Sequence, residues 1–424
     1  MNENIIKSLK YIYLFFLLQL YLIGFFLREN IAGGAEKDFI TFTWPLIEAF
    51  KENFFLTLKN YYSYGEGSTP LFHILNAYLN PFTFNQFVFQ GSITFLSLLN
   101  VVFFADILNE KYKISKLDSF VYASIFLILP FFRSSAYWGL TENLGWLFLI
   151  LSLKFYLKFE SLKIKNKIKF IFLTCLFSSL ALYTRPYLIF FPIFLVIYSI
   201  VDRKYASLKL LIFFYVLLAI PGLYLLYIWG GTVYISQGEQ QINFIYQYHH
   251  PRFILQNLII VSTIFLFYLI PVEIRLLENK KYFSKKRILI FGTFLASILI
   301  LNYFDIFQYV NEITLGGGVF HKINKIVFGK NIYFFLFISA VGFLIISDYF
   351  IISKKNKILF LSLLVFCQPK YLLQEYFEPL VLILFFSLFD LKKGNEKILK
   401  ENKTILIYIS YFFIYLIAGY LHRY

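Results

Sequence analysis

The feature that most constrains this chain is a series of apolar runs, each about 20 residues long, separated by short charged gaps. A helix of that length crosses the hydrocarbon core of a bilayer, where the backbone must satisfy its own hydrogen bonds. Composition agrees, because 59% of the residues are hydrophobic and only 15% are charged. These values exclude a soluble globule, a disordered chain and a disulfide scaffold.

The runs predict an all-α, polytopic transmembrane bundle of about 13 helices. The predicted spans are 9–27, 84–107, 118–132, 139–157, 170–183, 187–201, 208–228, 253–272, 288–303, 332–352, 358–368, 379–391 and 404–421. We expect one integral membrane domain over 1–424, with the first span as a signal anchor. Cys175 and Cys367 fall in apolar segments and are expected to be buried.

The basic residues predict the orientation of this bundle. Most of the 40 Lys and Arg residues lie in alternate gaps, whereas the 24 acidic residues divide evenly between the two sets. By the positive-inside rule the basic gaps face the cytoplasm, which puts the N-terminus inside and the C-terminus outside. The net charge of +16 is therefore a topology signal and a match to anionic membrane lipids. We predict a multi-pass protein of the cytoplasmic membrane with no nucleic-acid partner.

The outer gaps carry the residues suited to chemistry. All five histidines fall there, as do the long segments 28–83, 229–252 and 304–331. Long loops with ionisable and aromatic residues usually carry function. In the first, Glu36 and Asp38 follow a glycine pair just after the first span. We interpret Asp38 as an ionisable group held at the membrane surface, the alternative being an ordinary loop charge.

An amphipathic stretch follows these acids in the first outer loop. One helical face is apolar and consists of Leu46, Ile47, Phe50, Phe54 and Leu58; the opposite face carries Glu48, Lys51, Glu52 and Lys59. This pattern predicts interfacial helices in the first loop, with the apolar stripe toward lipid.

Two arginines interrupt the apolar segments. Arg185, within Tyr183-Thr184-Arg185-Pro186, places a guanidinium near the outer membrane boundary, where an arginine usually has an anionic partner. Arg133 lies with Tyr137, Trp138 and Glu142 at the outer mouth of neighbouring spans. It is either a snorkelling anchor or part of a site.

The remaining outer residues give weaker signals. His249 and His250 are adjacent in the loop that begins at Trp229, and no carboxylate completes a zinc-like ligand set. Three glycines precede His321 and Lys322, which is as consistent with a flexible loop as with a phosphate-binding turn. Lys370, Glu375 and Glu378 interrupt two short apolar runs and suggest a segment that lines a cavity.

This layout resembles the GT-C class of membrane glycosyltransferases, in which a long first outer loop holds an acidic residue soon after helix one and then an interfacial helix. Glu36-Lys37-Asp38 occupies the place of that acidic motif. Four further motifs fall in an order similar to the dolichyl-phosphate-glucose α-1,2-glucosyltransferase family: Ser68-Thr69-Pro70-Leu71-Phe72-His73, Tyr183-Thr184-Arg185-Pro186, Trp229-Gly230-Gly231-Thr232-Val233 and Glu375-Tyr376-Phe377-Glu378-Pro379. The chain departs from that family by reading Glu-Lys-Asp for Asp-Glu and Thr-Pro-Leu for Thr-Pro-Pro.

The resemblance implies transfer of a sugar from a polyprenyl-phosphate-linked donor to a glycan or lipid acceptor on the extracytoplasmic face, where cytosolic nucleotide sugars are out of reach. Asp38 would be the general base, with Glu36 as the alternative, and Arg185, with Lys322 or Lys370, would bind the donor phosphate. The expected substrate contacts are His73, Arg133, Glu142, Trp229, His249, Glu375 and Glu378. A divalent metal is compatible with the wider class, but we predict no cofactor because no dedicated ligand set stands out.

Two other classes of protein remain as alternatives. One is a polysaccharide polymerase or a flippase for lipid-linked oligosaccharides, and the other is a non-catalytic scaffold. A transporter should show polar residues at mid-membrane, inverted repeats and broken helices, whereas here the ionisable residues cluster at span ends. A polymerase would more often carry a large late outer loop with several arginines, and the 304–331 loop has none.

Overall fold

A computed structural model shows an all-helical protein. It describes residues 3–31, 33–64, 68–161, 167–229, 251–277, 284–304, 306, 318–329, 331–367, 376–391 and 395–423, and no strand occurs among them. The chain forms two compact units, Met1–Gln247 with Phe412–Tyr424, and Tyr248–Tyr411. That they act as one integral membrane domain stays a prediction.

The first unit contains helices α1 to α12. Their bounds are α1 Glu3–Phe26, α2 Ala35–Asp38, α3 Trp44–Glu52, α4 Phe54–Lys59, α5 Leu71–Leu79, α6 Gln86–Tyr112, α7 Lys116–Ala123, α8 Pro130–Tyr137, α9 Glu142–Ser161, α10 Lys167–Thr184, α11 Phe190–Val201 and α12 Tyr205–Ile228. The 3₁₀ turns Tyr61–Tyr64, Ser124–Leu127 and Pro186–Ile189 and the π-helical segment Phe39–Thr43 connect some of these helices.

The second unit contains α13 Pro251–Leu277, α14 Lys285–Tyr303, α15 Val319–Phe328, α16 Tyr333–Ile352, α17 Lys354–Phe366, α18 Glu378–Ser387, α19 Asn395–Ile398 and the first half of α20 Asn402–Arg423. Helices α13 and α16 cross closely at Gly342. A Cβ at that position would lie 2.1 Å from the carbonyl oxygen of Ser262, so only glycine fits there.

Eight of the described helices are long and apolar enough to cross a membrane: α1, α6, α10, α12, α13, α14, α16 and α20. Helix α7 with its 3₁₀ turn, taken together with α8, meets the same test but is bent by 72°. The bend follows from Pro130, because Leu129 before it must leave the helical conformation. Each predicted span overlaps at least one helix, although 118–132 is divided between α7, a 3₁₀ turn and α8. The chain is a multi-pass membrane protein. The predicted count of about 13 spans is not confirmed.

Two of these helices expose apolar surface along almost their whole length. In α12 only Leu211 is buried, and in α14 only Ile298. Apolar surfaces of that extent are not tolerated in water, so these faces are suited to contact with lipid.

The amphipathic stripe of the first loop lies inside the protein, so the prediction that it faces lipid is wrong. Its members Leu46, Ile47, Phe50 and Leu58 are buried, and three of them form a core cluster with Tyr61. Side chains from the end of α12 pack against this cluster. A protein core and a lipid phase are equally apolar, so the sequence pattern does not say which of them covers the stripe. Phe55 and Leu56 are exposed instead.

Candidate functional site

Arg185 lies at the break between α10 and the next 3₁₀ turn. The residue before a proline avoids the helical conformation, and Arg185 before Pro186 is accordingly extended, with φ −137° and ψ 105°. Its guanidinium reaches α9, where Nη2 forms an ion pair with the Glu142 carboxylate. The expectation that Arg185 has an anionic partner is confirmed.

Glu142 is the first residue of α9, where the helix dipole favours a negative charge. The Ser135 hydroxyl donates a hydrogen bond of 2.9 Å to its second carboxylate oxygen. The Arg185 side chain lies across α9 at Gly145, because a Cβ there would be 3.1 Å from Arg185 Cγ. The side chains of Arg185 and Glu142 are each only 12% exposed. The pair is therefore largely desolvated, which strengthens its attraction.

Two of the sequence motifs contact each other just before α5. The Thr69 hydroxyl donates to the carbonyl oxygen of Tyr183, one of the groups that the last turn of α10 leaves without a helical partner. This hydrogen bond attaches the segment before His73 to the segment before Arg185. The two motifs, more than a hundred residues apart in sequence, are thus in direct contact.

His73 is completely buried beside this contact. Burial, together with the positive charge of Arg185, lowers the pKa of its imidazole from 6.5 to about 3. The Tyr61 hydroxyl lies 3.1 Å from His73 Nδ1 and 3.3 Å from Ser68 Oγ. His73 is therefore a neutral imidazole at physiological pH, held by a tyrosine on one nitrogen.

Trp229 directly follows α12 and lies in the same region. Its indole N–H donates a hydrogen bond of 2.8 Å to the Leu58 carbonyl. The ring stacks on Tyr61 at a centroid distance of 6.1 Å and meets Tyr62 edge-on at 4.4 Å. Trp229 and Tyr62 are both partly exposed, so this aromatic group extends from His73 toward the surface.

Three buried nitrogens in this region have no hydrogen-bond partner among the described residues: Arg185 Nε, His73 Nε2 and Trp146 Nε1. Trp146 lies one turn after Glu142 on α9. A buried polar atom without a partner costs about 1–3 kcal/mol, so each one calls for an explanation. We use the name Arg185 cluster for Arg185, Glu142, Ser135, His73 and Tyr61. Such a cluster can bind an anion that carries several oxygen acceptors.

A second arginine–glutamate pair lies deeper in the same unit. Arg133 donates from Nε to Glu29 Oε1 at 2.7 Å and from Nη2 to Glu29 Oε2 at 2.6 Å. Its Nη1 donates to the Leu127 carbonyl at 2.8 Å, and the Tyr420 hydroxyl contacts both partners. Because Arg133 is 0% exposed, its interpretation as a snorkelling anchor is wrong. Its predicted contact with substrate stays a prediction.

The segment 33–38, which carries Glu36 and Asp38, is here called the acidic turn. It begins with Gly33 and Gly34, which have positive φ angles of 73° and 77°. Glycine adopts this conformation without strain, as the turn into α2 requires. Glu36 and Asp38 are both exposed on this four-residue helix. Their exposure is what a base that meets an external acceptor needs, and the base role itself stays a prediction.

Phe39 anchors the acidic turn to the rest of the unit. Its buried ring lies 6.1 Å from Phe89 and 6.4 Å from Trp138, measured between ring centroids. Trp138 directly follows α8, the helix that also carries Ser135 of the Arg185 cluster and Arg133. Helix α8 and the residue after it therefore contact the acidic turn, the Arg133 pair and the Arg185 cluster.

The other predicted site residues lie elsewhere. Lys322 is exposed on α15 and Glu378 is buried at the start of α18, both in the second unit. His249, Lys370 and Glu375 lie outside the described residues. Within the described ranges, no three His, Cys, Asp or Glu side chains come together in a way that could hold a metal ion.

Sequence reasoning missed Glu29, Tyr61 and Trp146. Glu29 directly follows the first span, and an acid at such a place is a signal that could have been paired with one of the outer arginines. Tyr61 and Trp146 lie in aromatic-rich stretches, where nothing in the sequence distinguishes them from packing residues.

Comparisons with family models, with curated proteins and with solved structures find no match for this chain. The resemblance to GT-C enzymes therefore depends on the sequence motifs alone.

Proposed function

We propose that this protein is a GT-C type glycosyltransferase that moves a sugar from a polyprenyl-phosphate-linked donor to a glycan or lipid acceptor of the cell envelope. The observation that carries the proposal is the Arg185 cluster, in which a largely buried arginine and a neutral histidine keep unpaired nitrogens in a multi-pass membrane protein. A lipid-linked phosphate supplies the oxygen acceptors that these nitrogens lack. The exposed apolar faces of helices such as α12 suit its polyprenyl chain.

In the proposed reaction the acceptor oxygen attacks the anomeric carbon of the sugar. The bond from that carbon to the phosphate oxygen breaks, and the phosphate leaves with the electron pair without needing a proton. Arg185 stabilises the negative charge that develops on the phosphate. Asp38 takes the proton from the acceptor hydroxyl, with Glu36 as the alternative base. A single displacement of this kind inverts the anomeric centre.

The other members of the cluster orient these groups. Glu142, fixed by Ser135, holds Arg185 in place until the donor phosphate arrives. His73 offers Nε2 to a phosphate or sugar oxygen, and Trp229 offers an aromatic face to the sugar ring. The mechanism uses no cofactor.

The proposal includes a finer topology. In this topology the protein has about thirteen spans, a cytoplasmic N-terminus and an active site on the extracytoplasmic face of the cytoplasmic membrane. Helices α2 to α5 then lie at the outer interface, with Phe55 and Leu56 toward lipid. This orientation puts Asp38, His73 and Arg185 on one side of the membrane, as a shared site requires.

A transfer assay in nanodiscs tests the proposal. The protein is supplied with undecaprenyl-phosphate-linked hexoses and with glycan or lipid acceptors, and the release of undecaprenyl phosphate is measured. We expect Asp38→Asn to lower turnover by about 10²–10⁴-fold, the usual contribution of a general base. Lys37→Gln, an exposed neighbour on α2, is the matched control and should keep its turnover.

Two results would count against this assignment. Normal turnover in both Asp38→Asn and Glu36→Gln would remove the acidic turn from the reaction. If the wild-type protein cleaves none of the lipid-linked donors, the protein is not this transferase.

A flippase for lipid-linked oligosaccharides is the second candidate, and two observations favour it. The pair α7 and α8 is bent by 72°, as in a broken span or a re-entrant loop. The candidate span Ile254–Arg275 buries the polar side chains Gln256, Asn257, Ser262 and Thr263. Broken helices and polar residues within spans are typical of transporters. Movement of a fluorescent lipid-linked oligosaccharide across vesicles without cleavage would favour this candidate.

A further inference from the structure

Helix α15 has the reverse polarity of a helix that borders water. Its residues His321 and Asn324 are buried, at 4% and 3% exposure, whereas Ile326 and Val327 are 73% and 63% exposed. Ile323 and Phe328 are exposed as well. A helix at a water-exposed surface buries its apolar side chains and exposes its polar ones. The outer face of α15 is therefore suited to an apolar phase.

Specific contacts fix the rotation of α15. The Asn324 amide donates a hydrogen bond of 2.8 Å to the Asn331 carbonyl, and its oxygen accepts one of 3.2 Å from the backbone N–H of Phe335. The His321 ring packs edge-on against the ring of Phe335, with 5.3 Å between centroids. These contacts attach the polar face of α15 to the start of α16, so the apolar face must point outward.

Length and charge indicate what the apolar face meets. A helix of 10 residues is about 15 Å long, too short to cross the hydrocarbon core of about 30 Å. Lys322 and Lys325 lie on the same helix, and the sequence has no acidic residue between Glu312 and Asp348. A short helix with exposed apolar side chains and lysines can lie in the membrane interface, with the ammonium groups at headgroup phosphates.

We propose that α15 lies in the plane of the membrane surface, with Ile326 and Val327 among the acyl chains and Lys322 and Lys325 on the phosphates of anionic phospholipids. This inference does not depend on glycosyl transfer. It assigns Lys322 to the bilayer instead of to the sugar donor. The helix then fixes the start of α16 at the depth of the interface.

Depth-dependent fluorescence quenching tests this placement. A bimane label is attached to Ile326→Cys in the full-length protein, in nanodiscs of phosphatidylcholine and phosphatidylglycerol; the native cysteines are buried. Glu396→Cys, an exposed polar position on α19, is the control. At residue 326 we expect acyl-chain spin labels to quench about fivefold more than aqueous iodide, and the reverse at 396. Stronger quenching by iodide at 326, or bimane excimers between two copies, would overturn the proposal.

Charge reversal tests the headgroup contacts separately. Lys322→Glu with Lys325→Glu should lower acyl-chain quenching at 326 by about fivefold in nanodiscs rich in phosphatidylglycerol, because two favourable charges become repulsive. In pure phosphatidylcholine the change should stay below about twofold. The neutral pair Lys322→Gln with Lys325→Gln should fall between. An equal loss in both lipids would overturn the assignment to anionic headgroups.

Discussion

The two arginine–glutamate pairs of the first unit differ in how completely the protein satisfies them. Arg133 is 0% exposed and meets Glu29 through two parallel hydrogen bonds, with a backbone carbonyl and a tyrosine hydroxyl as further partners. Arg185 is 12% exposed, and its Nε has no partner among the described residues. Both pairs contact the same short helix, α8, through Arg133 itself and through Ser135.

This difference separates a structural role from a binding role. A guanidinium whose hydrogens already meet protein oxygens has little left to offer a ligand, and breaking such a pair leaves a buried charge. A guanidinium with an unpaired buried nitrogen gains by donating a hydrogen bond to a ligand oxygen. The Arg133 pair therefore holds the end of α1, α8 and the end of α20 together. The Arg185 pair keeps one nitrogen that, in the proposed function, donates to the donor phosphate.

Removal of Arg185 should mainly lower the rate of sugar transfer, whereas removal of Arg133 should mainly lower the stability of the protein. We expect Arg185→Ala to lower sugar transfer by about 10²–10³-fold, the loss typical of one electrostatic donor. Arg133→Ala should instead lower the free energy of unfolding by about 3–5 kcal/mol, because it leaves the Glu29 carboxylate buried and unpaired. Turnover in nanodiscs and thermal unfolding in detergent measure the two effects. Equal losses of stability in Arg185→Ala and Arg133→Ala would contradict a structural role for Arg133 and a binding role for Arg185.

Replacing both partners of a pair with apolar residues should restore stability at the Arg133 pair but should not restore transfer at the Arg185 pair. In Arg133→Met with Glu29→Leu no charge remains buried, so most of the stability lost in Arg133→Ala, about 2–4 kcal/mol, should return. Arg185→Met with Glu142→Leu should stay inactive, because no cation remains for the phosphate. Recovery of transfer in that second double variant would contradict a binding role for Arg185.

The pH dependence of stability should come from the Arg185 cluster through His73. Its pKa is about 3 in the folded protein and about 6.5 when unfolded, so between these values the unfolded state binds the extra proton. The stability contributed by neutral His73 is complete above pH 6.5 and is lost as the pH falls toward 3. From pH 7 to pH 5 the loss should be about 2 kcal/mol.

Comparison with His73→Gln isolates this titration, because the variant keeps a polar side chain without a group that titrates in this range. The difference in unfolding free energy between wild type and variant should shrink by about 2 kcal/mol on acidification to pH 5. Parallel pH profiles for the two proteins would show that His73 is not held neutral.

Smaller effects than the loss of either arginine should come from alanine at the two glycines that lie against the pairs. A Cβ at Gly24 would lie 2.6 Å from both Arg133 Nη2 and Glu29 Oε2, so Gly24→Ala should destabilise the protein by about 1–3 kcal/mol. At Gly145 the nearest atom is Arg185 Cγ at 3.1 Å, and the helix gains about 1 kcal/mol from alanine. Gly145→Ala should leave thermal unfolding nearly unchanged and lower transfer less than about tenfold. A larger stability loss at Gly145 than at Gly24 would reverse the comparison.

The sequence predicted the helices and the ion-paired state of Arg185 because those signals are local. Apolar runs located all eight candidate spans, and Pro186 located the break after α10 at which Arg185 lies. The sequence marks Glu29 as a possible partner for an outer arginine but does not say which one, since Glu29 lies 104 residues from Arg133 and other outer acids were equally available. The environment of Leu46 and Phe50 was also beyond the sequence, because packing against α12 and immersion in lipid require the same residues.

The most direct measurement is a cryo-electron microscopy map of the protein in nanodiscs with undecaprenyl phosphate bound. The account predicts phosphate density within hydrogen-bond distance of Arg185 Nε, with the Arg133–Glu29 pair unchanged. Phosphate density at another site, with Arg185 still bound only to Glu142, would contradict it.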